Sequence, residues 1–336
     1  LDLPYYQQTA KDQILSLPLS QSTGYKRAVI NAGEIANKGI EASLSFVPVK
    51  TKNFTWDASV NFAKNDNEVV KLHDEVKDFE LASARWANAS IYASEGQPYG
   101  VIVGKKLKRT EKGDVIFENG LPTFDDKVSV LGNGNYDFTL GFRNAFNYKN
   151  LSMSVLFDMK FSADIYSMSA MQSHVNGTSK ETLEGRQEWY SSEQKRQSAG
   201  VPAGNWIATG GYVGKGVMAI KNDEGEMIYV PNNVCVDPAK YWQALQTTSP
   251  EPFIYDNSFV KLREISLSYN CPKKWFVHTP IESITLSAYG RNLLLIYSNV
   301  DNIDPESSYN NGNGQGFEYG SLPSRRTFGF GINVKF

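Results

Sequence analysis

Residues 327–336 read TFGFGINVKF and alternate strictly. Phe328, Phe330, Ile332, Val334 and Phe336 fall on one side; Thr327, Gly329, Gly331, Asn333 and Lys335 fall on the other. Successive side chains of a strand point to opposite faces, so the segment predicts a strand with one apolar face. The pattern recurs. Phe54, Trp56, Ala58, Val60 and Phe62 alternate with Thr55, Asp57, Ser59, Asn61 and Ala63. Similar runs start at Ile40, Phe138, Leu151 and Ile284, with charges confined to the non-apolar side. Each is about ten residues long, which is what a tilted strand needs to cross a bilayer. A soluble β-sandwich more often uses shorter strands. The fold class expected is all-β, a transmembrane antiparallel β-barrel.

The gaps between runs are of two kinds. Short connections fall at 50–53 and 148–150, with a moderate one at 271–281. Long polar loops fall near 10–34, 109–135, 165–255 and 298–322. Outer-membrane barrels have short periplasmic turns and long extracellular loops. Strands are therefore expected at 38–49, 54–70, 82–93, 98–108, 136–147, 151–163, 258–270, 282–296 and the terminus, after an N-terminal remnant, with a tight turn at Glu95–Pro98. That makes about ten strands, with every short turn on one side. No signal peptide is present, so residues 1–336 read as the C-terminal part of one larger barrel domain.

Composition narrows the classes. Net charge is −2, which gives no electrostatic footprint for nucleic acid. No run of eighteen apolar residues suits a membrane helix. Aromatics make up 12%, several near run ends (Tyr136, Tyr148, Trp275, Phe276, Tyr289, Tyr297), as in an interfacial belt. Cys235 and Cys271 have no redox or zinc spacing, and His73, His174 and His278 are isolated. No nucleophile elbow or phosphate loop occurs. The reading is a non-enzyme without cofactor or metal. A passive porin or adhesin barrel and a soluble sugar-binding β protein are the alternatives.

Seven segments resemble one family. They are NAGEIANKGIEASLSF with NFTWDASVNFAKNDNEVVKL, EGQPYGVIVGKK, FRNAFNYKNLSMSVLFDMKFSADIY, SFVKLREISLSYNCP, GRNLLLIYSNVDNIDPE and LPSRRTFGFGINVKF. In this order and up to the terminus they resemble SusC/RagA-type TonB-dependent outer-membrane transporters. The resemblance implies a barrel of about 22 strands around a plug. It also implies a bacterial outer-membrane location, a SusD-type surface lipoprotein partner, and contact with the TonB complex through an N-terminal part absent here. The expected function is import of oligosaccharides or peptides. The missing strands and plug, the lipid bilayer and the ligand complete the partners.

Transport needs a lumen and ligand-binding groups rather than bond-making residues. Candidate lumen-facing charges are Asp57, Arg143, Asp158, Lys160 and Arg291. Loop 165–255 is long enough to be a binding loop. Its segment 178–197 is helix-compatible, with Thr178 or Ser179 as a cap. Flat aromatics beside polar groups suit sugar rings and protein interfaces alike. Trp189, Tyr190, Trp206, Tyr212, Tyr241 and Trp242 are therefore the candidate ligand or partner contacts, with Tyr309 in the last loop. Asp301, Asp304 and Glu306 are close enough for calcium, but their spacing is no calcium-loop motif and such residues also build turns. Phe336 is the candidate assembly terminus.

Overall fold

The computed structural model describes every residue except 19–23, 25–26, 32, 74–75, 85–87 and 311. Its main strands, in chain order, are β1 (Tyr5–Ala10), β2 (Glu34–Lys50), β3 (Phe54–Lys71), β4 (Asp78–Ser83), β5 (Ala89–Ser94), β6 (Val101–Leu107) and β7 (Phe124–Asn133). They continue as β8 (Phe138–Tyr148), β9 (Leu151–Phe161), β10 (Val217–Lys221), β11 (Met227–Pro231), β12 (Phe259–Asn270), β13 (Ser283–Ser298) and β14 (Thr327–Lys335). Eight of them form one antiparallel sheet in the order β1-β2-β3-β8-β9-β12-β13-β14.

One face of this wall is apolar by register. Phe138 stands opposite Phe161, Leu140 opposite Met159 and Phe142 opposite Phe157. The first and last of these pairs stack at 5.0 and 6.4 Å. On β14, Phe328, Phe330 and Ile332 remain 67%, 87% and 72% exposed, so among the described residues nothing packs over this face there. A polar residue in such a row needs a partner, because lipid offers none. Asn144 has one: the Trp56 indole Nε1 donates to its Oδ1 at 3.1 Å. On the opposite face Gly329 makes room for a neighbour. A Cβ there would come within 2.4 Å of the Tyr289 ring, which lies across the glycine from β13.

The wall strands lie where the alternation placed them, but two expected members are absent from it. Segments 82–93 and 98–108 do not join the sheet, because β3 pairs directly with β8. They form instead a second sheet, β7-β6-β5-β4, beyond the wall's upper end. The wall thus holds eight strands rather than about ten. The Glu95–Pro98 turn sits at the long-loop end: Gly96 N donates to Val69 O at 2.8 Å, and Val69 N to Gln97 O at 2.9 Å. The physical reason is burial. Val101, Ile102 and Val103 are all buried in succession, as in a strand covered on both faces rather than one facing lipid. Removing the two segments as a pair leaves every other strand direction unchanged.

Segments 72–137, 162–258 and 299–326 fold together into a cap with its own core. Ile91 and Ile102 from the first pack with Tyr166, Met171, Leu245 and Phe253 from the second and Phe317 from the third. Strand pairing joins them too. Residues 164–167 run antiparallel to 254–256 and parallel to 317–318, and Val217–Met218 run parallel to Ile116–Phe117. Three helices complete the cap: α1 (Met168–Val175), α2 (Arg186–Ser198) and α3 (Pro238–Thr248). α2 starts later than expected. Gly185 takes a left-handed conformation as its N-cap, while Ser179 precedes only a short 3-10 turn, Lys180–Leu183. The expected loop near 10–34 lies partly outside the described residues, and its described part pairs Ile14–Pro18 with Arg27–Asn31.

Candidate functional site

The five candidate charges all stand on the wall's polar face. Asn147 donates to Asp57 at 3.4 Å, and Arg143 Nε donates to the Ser154 hydroxyl at 3.0 Å. Lys160 Nζ lies 5.3 Å from the Tyr136 ring centroid. Arg291 Nε donates to Glu264 at 2.7 Å, and Arg291 Cζ lies 5.1 Å from the Tyr289 ring centroid. Asp158 belongs to a larger cluster that the sequence reading missed.

That cluster is built by a bulge. On β12 the apolar positions Val260 and Leu262 are followed by Ile265 and Leu267, a slip of one residue. The register shifts there against β9, which leaves Arg263 as the extra residue, and it shifts against β13 too, where Arg263 stands opposite the two residues Asn292 and Leu293. Its guanidinium turns to Asp158, to Asn292 at 2.7 Å and to Glu306 at 2.7 and 2.9 Å. Two residues earlier, Lys261 is only 4% exposed. Its Nζ donates to Asp304 at 2.6 Å and to Glu306 at 2.7 Å. The slip in alternation was the readable signal for this arrangement.

Two of the three carboxylates considered for calcium, Asp304 and Glu306, are thus occupied by the wall's own cations. Burial pushes the Glu306 carboxyl upward, but hydrogen bonds and charge from Arg263 and Lys261 outweigh it and hold the group at about 2. Asp304 is likewise buried and is driven well below the usual carboxylate range by Lys261 and the Ser324 hydroxyl. Among the described residues, no three His, Cys, Asp or Glu side chains are grouped to hold a metal ion. A cavity of about 400 Å³ lies beside this cluster, lined by apolar side chains such as Leu294 and Leu295 and by the polar Asp304, Ser324 and Arg326. Glu318 closes one side, its carboxylate taking bonds from Ser167 Oγ (2.8 Å), Ser169 Oγ (2.7 Å) and Gly320 N (2.6 Å).

The candidate aromatics separate into groups. Trp189, Tyr190 and Trp242 line one cleft of about 430 Å³ between α2 and the start of α3, with Arg186, Glu193 and Asp237 at its polar edge. Tyr212 and Tyr241 lie beside it with their rings tilted and 4.5 Å apart, and Tyr241 meets Trp242 edge-on at 5.2 Å. Burial raises the Tyr241 phenol above its ordinary range, with the Tyr212 phenol beside it adding to the effect. Trp206 turns inward, donating to the Ser192 hydroxyl at 3.1 Å. Tyr309 is elsewhere, edge-on to Tyr319 at 5.6 Å. His174, unassigned from sequence, forms the cleft's inner wall. Its Nδ1 faces Ala170 O at 2.8 Å, its Nε2 faces Glu181, and its ring lies 4.5 Å from that of Trp242.

A meandering antiparallel wall, apolar on one face and polar on the other, with short turns at one end and a folded cap at the other, has the form of an outer-membrane-type β-barrel wall. Comparison with known proteins agrees. The chain is 26% identical over 370 residues to the TonB-dependent receptor P3 of Formosa agariphila, covering all of this chain and 32% of that protein. It is 26% identical over 178 residues to the TonB-dependent receptor SusC of Bacteroides thetaiotaomicron, covering 48% of this chain and 17% of SusC. Its fold matches the RagAB peptide transporter with a TM-score of 0.66 at 17% identity, over 99% of this chain and 33% of that one. No family model matches. The resemblance to SusC/RagA-type transporters is therefore borne out, and the chain spans about a third of the length of the receptor P3 and of the RagAB chain it matches.

Proposed function

We propose that this chain supplies part of the wall and of the extracellular cap of a TonB-dependent importer in a bacterial outer membrane. The observation that carries the reading is the joining of a lipid-suited wall to a packed cap at its long-loop end, in a chain similar throughout to TonB-dependent receptors. The rest of the barrel, the plug and the TonB-contacting segment belong to sequence beyond these residues. On this reading Asp57, Arg143, Asp158, Lys160 and Arg291 face the lumen. There they meet hydrated solute or plug.

The cargo is an oligosaccharide or a peptide. The cleft of Trp189, Tyr190 and Trp242 supports contact with ligand or with a SusD-type lipoprotein, because flat apolar rings beside Glu193 and Asp237 match both kinds of surface. Substrate-dependent growth tests the reading. Uptake by the intact protein stops when TonB is removed, and Trp189→Ala with Tyr190→Ala lowers it without loss of folded barrel. Uptake that persists without TonB identifies a passive pore instead.

A further inference from the structure

The short turns form a continuous rim. Lys149 N donates to Asn53 O, Asn270 N to Asn150 O and Cys271 N to Ile284 O, each at 2.9 Å, and Glu282 N donates to Lys335 O at 2.7 Å. Lys50, Lys52, Lys149, Lys273 and Lys274 all fall on this rim and are exposed. The single acidic residue of the turns at 50–53, 149–150 and 271–282 is Glu282, which is taken by Lys335 at 2.7 Å. Among the described residues, none of the five lysines is ion-paired.

Their neighbours say which way the rim faces. Tyr148 and Tyr269 both register with Leu151 on the apolar side of the wall. Lys149 Nζ lies 5.4 Å from the Tyr148 ring centroid. Trp275, 63% exposed and next in sequence to Lys273 and Lys274, packs 6.2 Å from Tyr269. Tyr and Trp with an apolar body and a polar tip settle at the headgroup level, and lysine stems extend their ammonium groups into the same layer. Lys50 registers with Thr55 on the polar face, but Lys149, Lys273 and Lys274 flank the lipid-side aromatics, and uncompensated cations at that depth are complementary to negative headgroups.

We propose that this rim binds anionic phospholipid headgroups of the adjoining leaflet, an inference that rests on the membrane-barrel reading above. The test uses the intact protein in nanodiscs containing a minority of phosphatidylglycerol in phosphatidylcholine, with one or the other lipid brominated. The Trp275 signal is taken as wild type minus Trp275→Phe. Brominated phosphatidylglycerol is expected to quench it about fivefold more per lipid than brominated phosphatidylcholine at low salt. Added salt reduces that preference, as does replacing Lys52, Lys149, Lys273 and Lys274 by Gln; the milder pair Lys273→Gln and Lys274→Gln removes part of it. Equal quenching by both lipids overturns the proposal, as does a preference that survives the four substitutions, and an acidic protein partner would then be the occupant sought. Trp275 quenched by neither lipid overturns the membrane reading itself.

Discussion

Arg263 on β12 and Glu306, 43 residues further on, form a two-pronged ion pair, with Nη1 donating to Oε2 at 2.9 Å and Nη2 to Oε1 at 2.7 Å. The pair joins a wall strand to the last cap segment. It exists because the β12 bulge turns an extra residue out of the regular alternation. A lysine could supply the charge at this point but not the planar fork that meets one carboxylate with two bonds while also reaching Asp158.

Removing that fork should loosen the segment 299–326 from the wall. Arg263→Ala leaves Glu306 and Asp158 without their shared cation, a loss of about 3 kcal/mol for partly buried charges. Limited proteolysis should then cut within 299–326 while the rest of the barrel stays resistant. Arg263→Lys should recover only part of the protection. Unchanged protection in both variants would show that the ion pair does not hold the segment.

Acid should do the same without a substitution. Glu306 is held at about 2 in the folded protein, below its ordinary 4.5, so its contribution is fully present above 4.5 and disappears as pH falls toward 2. Asp304 shifts in the same direction. The Glu306 contribution is on the order of 1–3 kcal/mol. Hydrogen exchange within 299–326 should accelerate across that window, and Glu306→Gln should flatten the response. Exchange that is independent of pH in wild type, after correction for intrinsic chemistry, would contradict the assignment.

The alternation at Phe54–Phe62, Leu151–Phe161 and Thr327–Lys335 was legible because these strands carry an apolar face and a polar face, the condition that writes period two into a sequence. The cap obeyed no such rule. Val101-Ile102-Val103 is buried on both faces, so it reads as a plain apolar run that could equally belong to a wall. Its place depends on Tyr166, Leu245 and Phe317, which are distant in the chain. The cleft was half legible. Trp189, Tyr190 and Trp242 stood out as aromatics in a polar loop, but nothing local separates them from Trp206, which turns inward to Ser192. The cation cluster escaped notice because Lys261 and Arg263 lie beside and within a phase slip read as ordinary strand.

Because the cap has a core of its own, it should unfold apart from the wall. Phe253 is 1% exposed and packs among residues from all three cap segments. Phe253→Ala should cost about 3–5 kcal/mol of cap stability through lost contacts and the cavity left behind. In hydrogen exchange the loss should appear in 78–133 and 162–258, with β8, β9 and β12 unchanged. Equal loss of protection in the wall strands would mean that cap and wall form one cooperative unit.

The last prediction concerns the β14 edge. β14 pairs with β13 from Ser283–Lys335 to Arg291–Thr327, and among the described residues no strand covers its other edge. In lipid an uncovered edge is not tolerated, since each unpaired N–H or C=O there costs several kcal/mol. On the membrane-barrel reading proposed above, a further strand meets β14 at this edge, and removing β14 would expose β13 in its place. Deletion of 327–336 should abolish outer-membrane assembly of the intact protein, seen as loss of the heat-modifiable folded form on gels. Phe336→Ala should slow assembly without abolishing it, because the strand and its ladder remain. Gly329→Ala is the sharper probe, for its new Cβ would meet the Tyr289 ring at 2.4 Å and so disturb the β13–β14 joint while leaving every backbone partner in the sequence. It should lower the yield of folded barrel, and Tyr289→Ala in the same chain should restore part of it. A normal folded barrel after deletion of 327–336 would refute the role of β14 in closing the wall, and failure of Tyr289→Ala to rescue Gly329→Ala would refute the steric account of the joint.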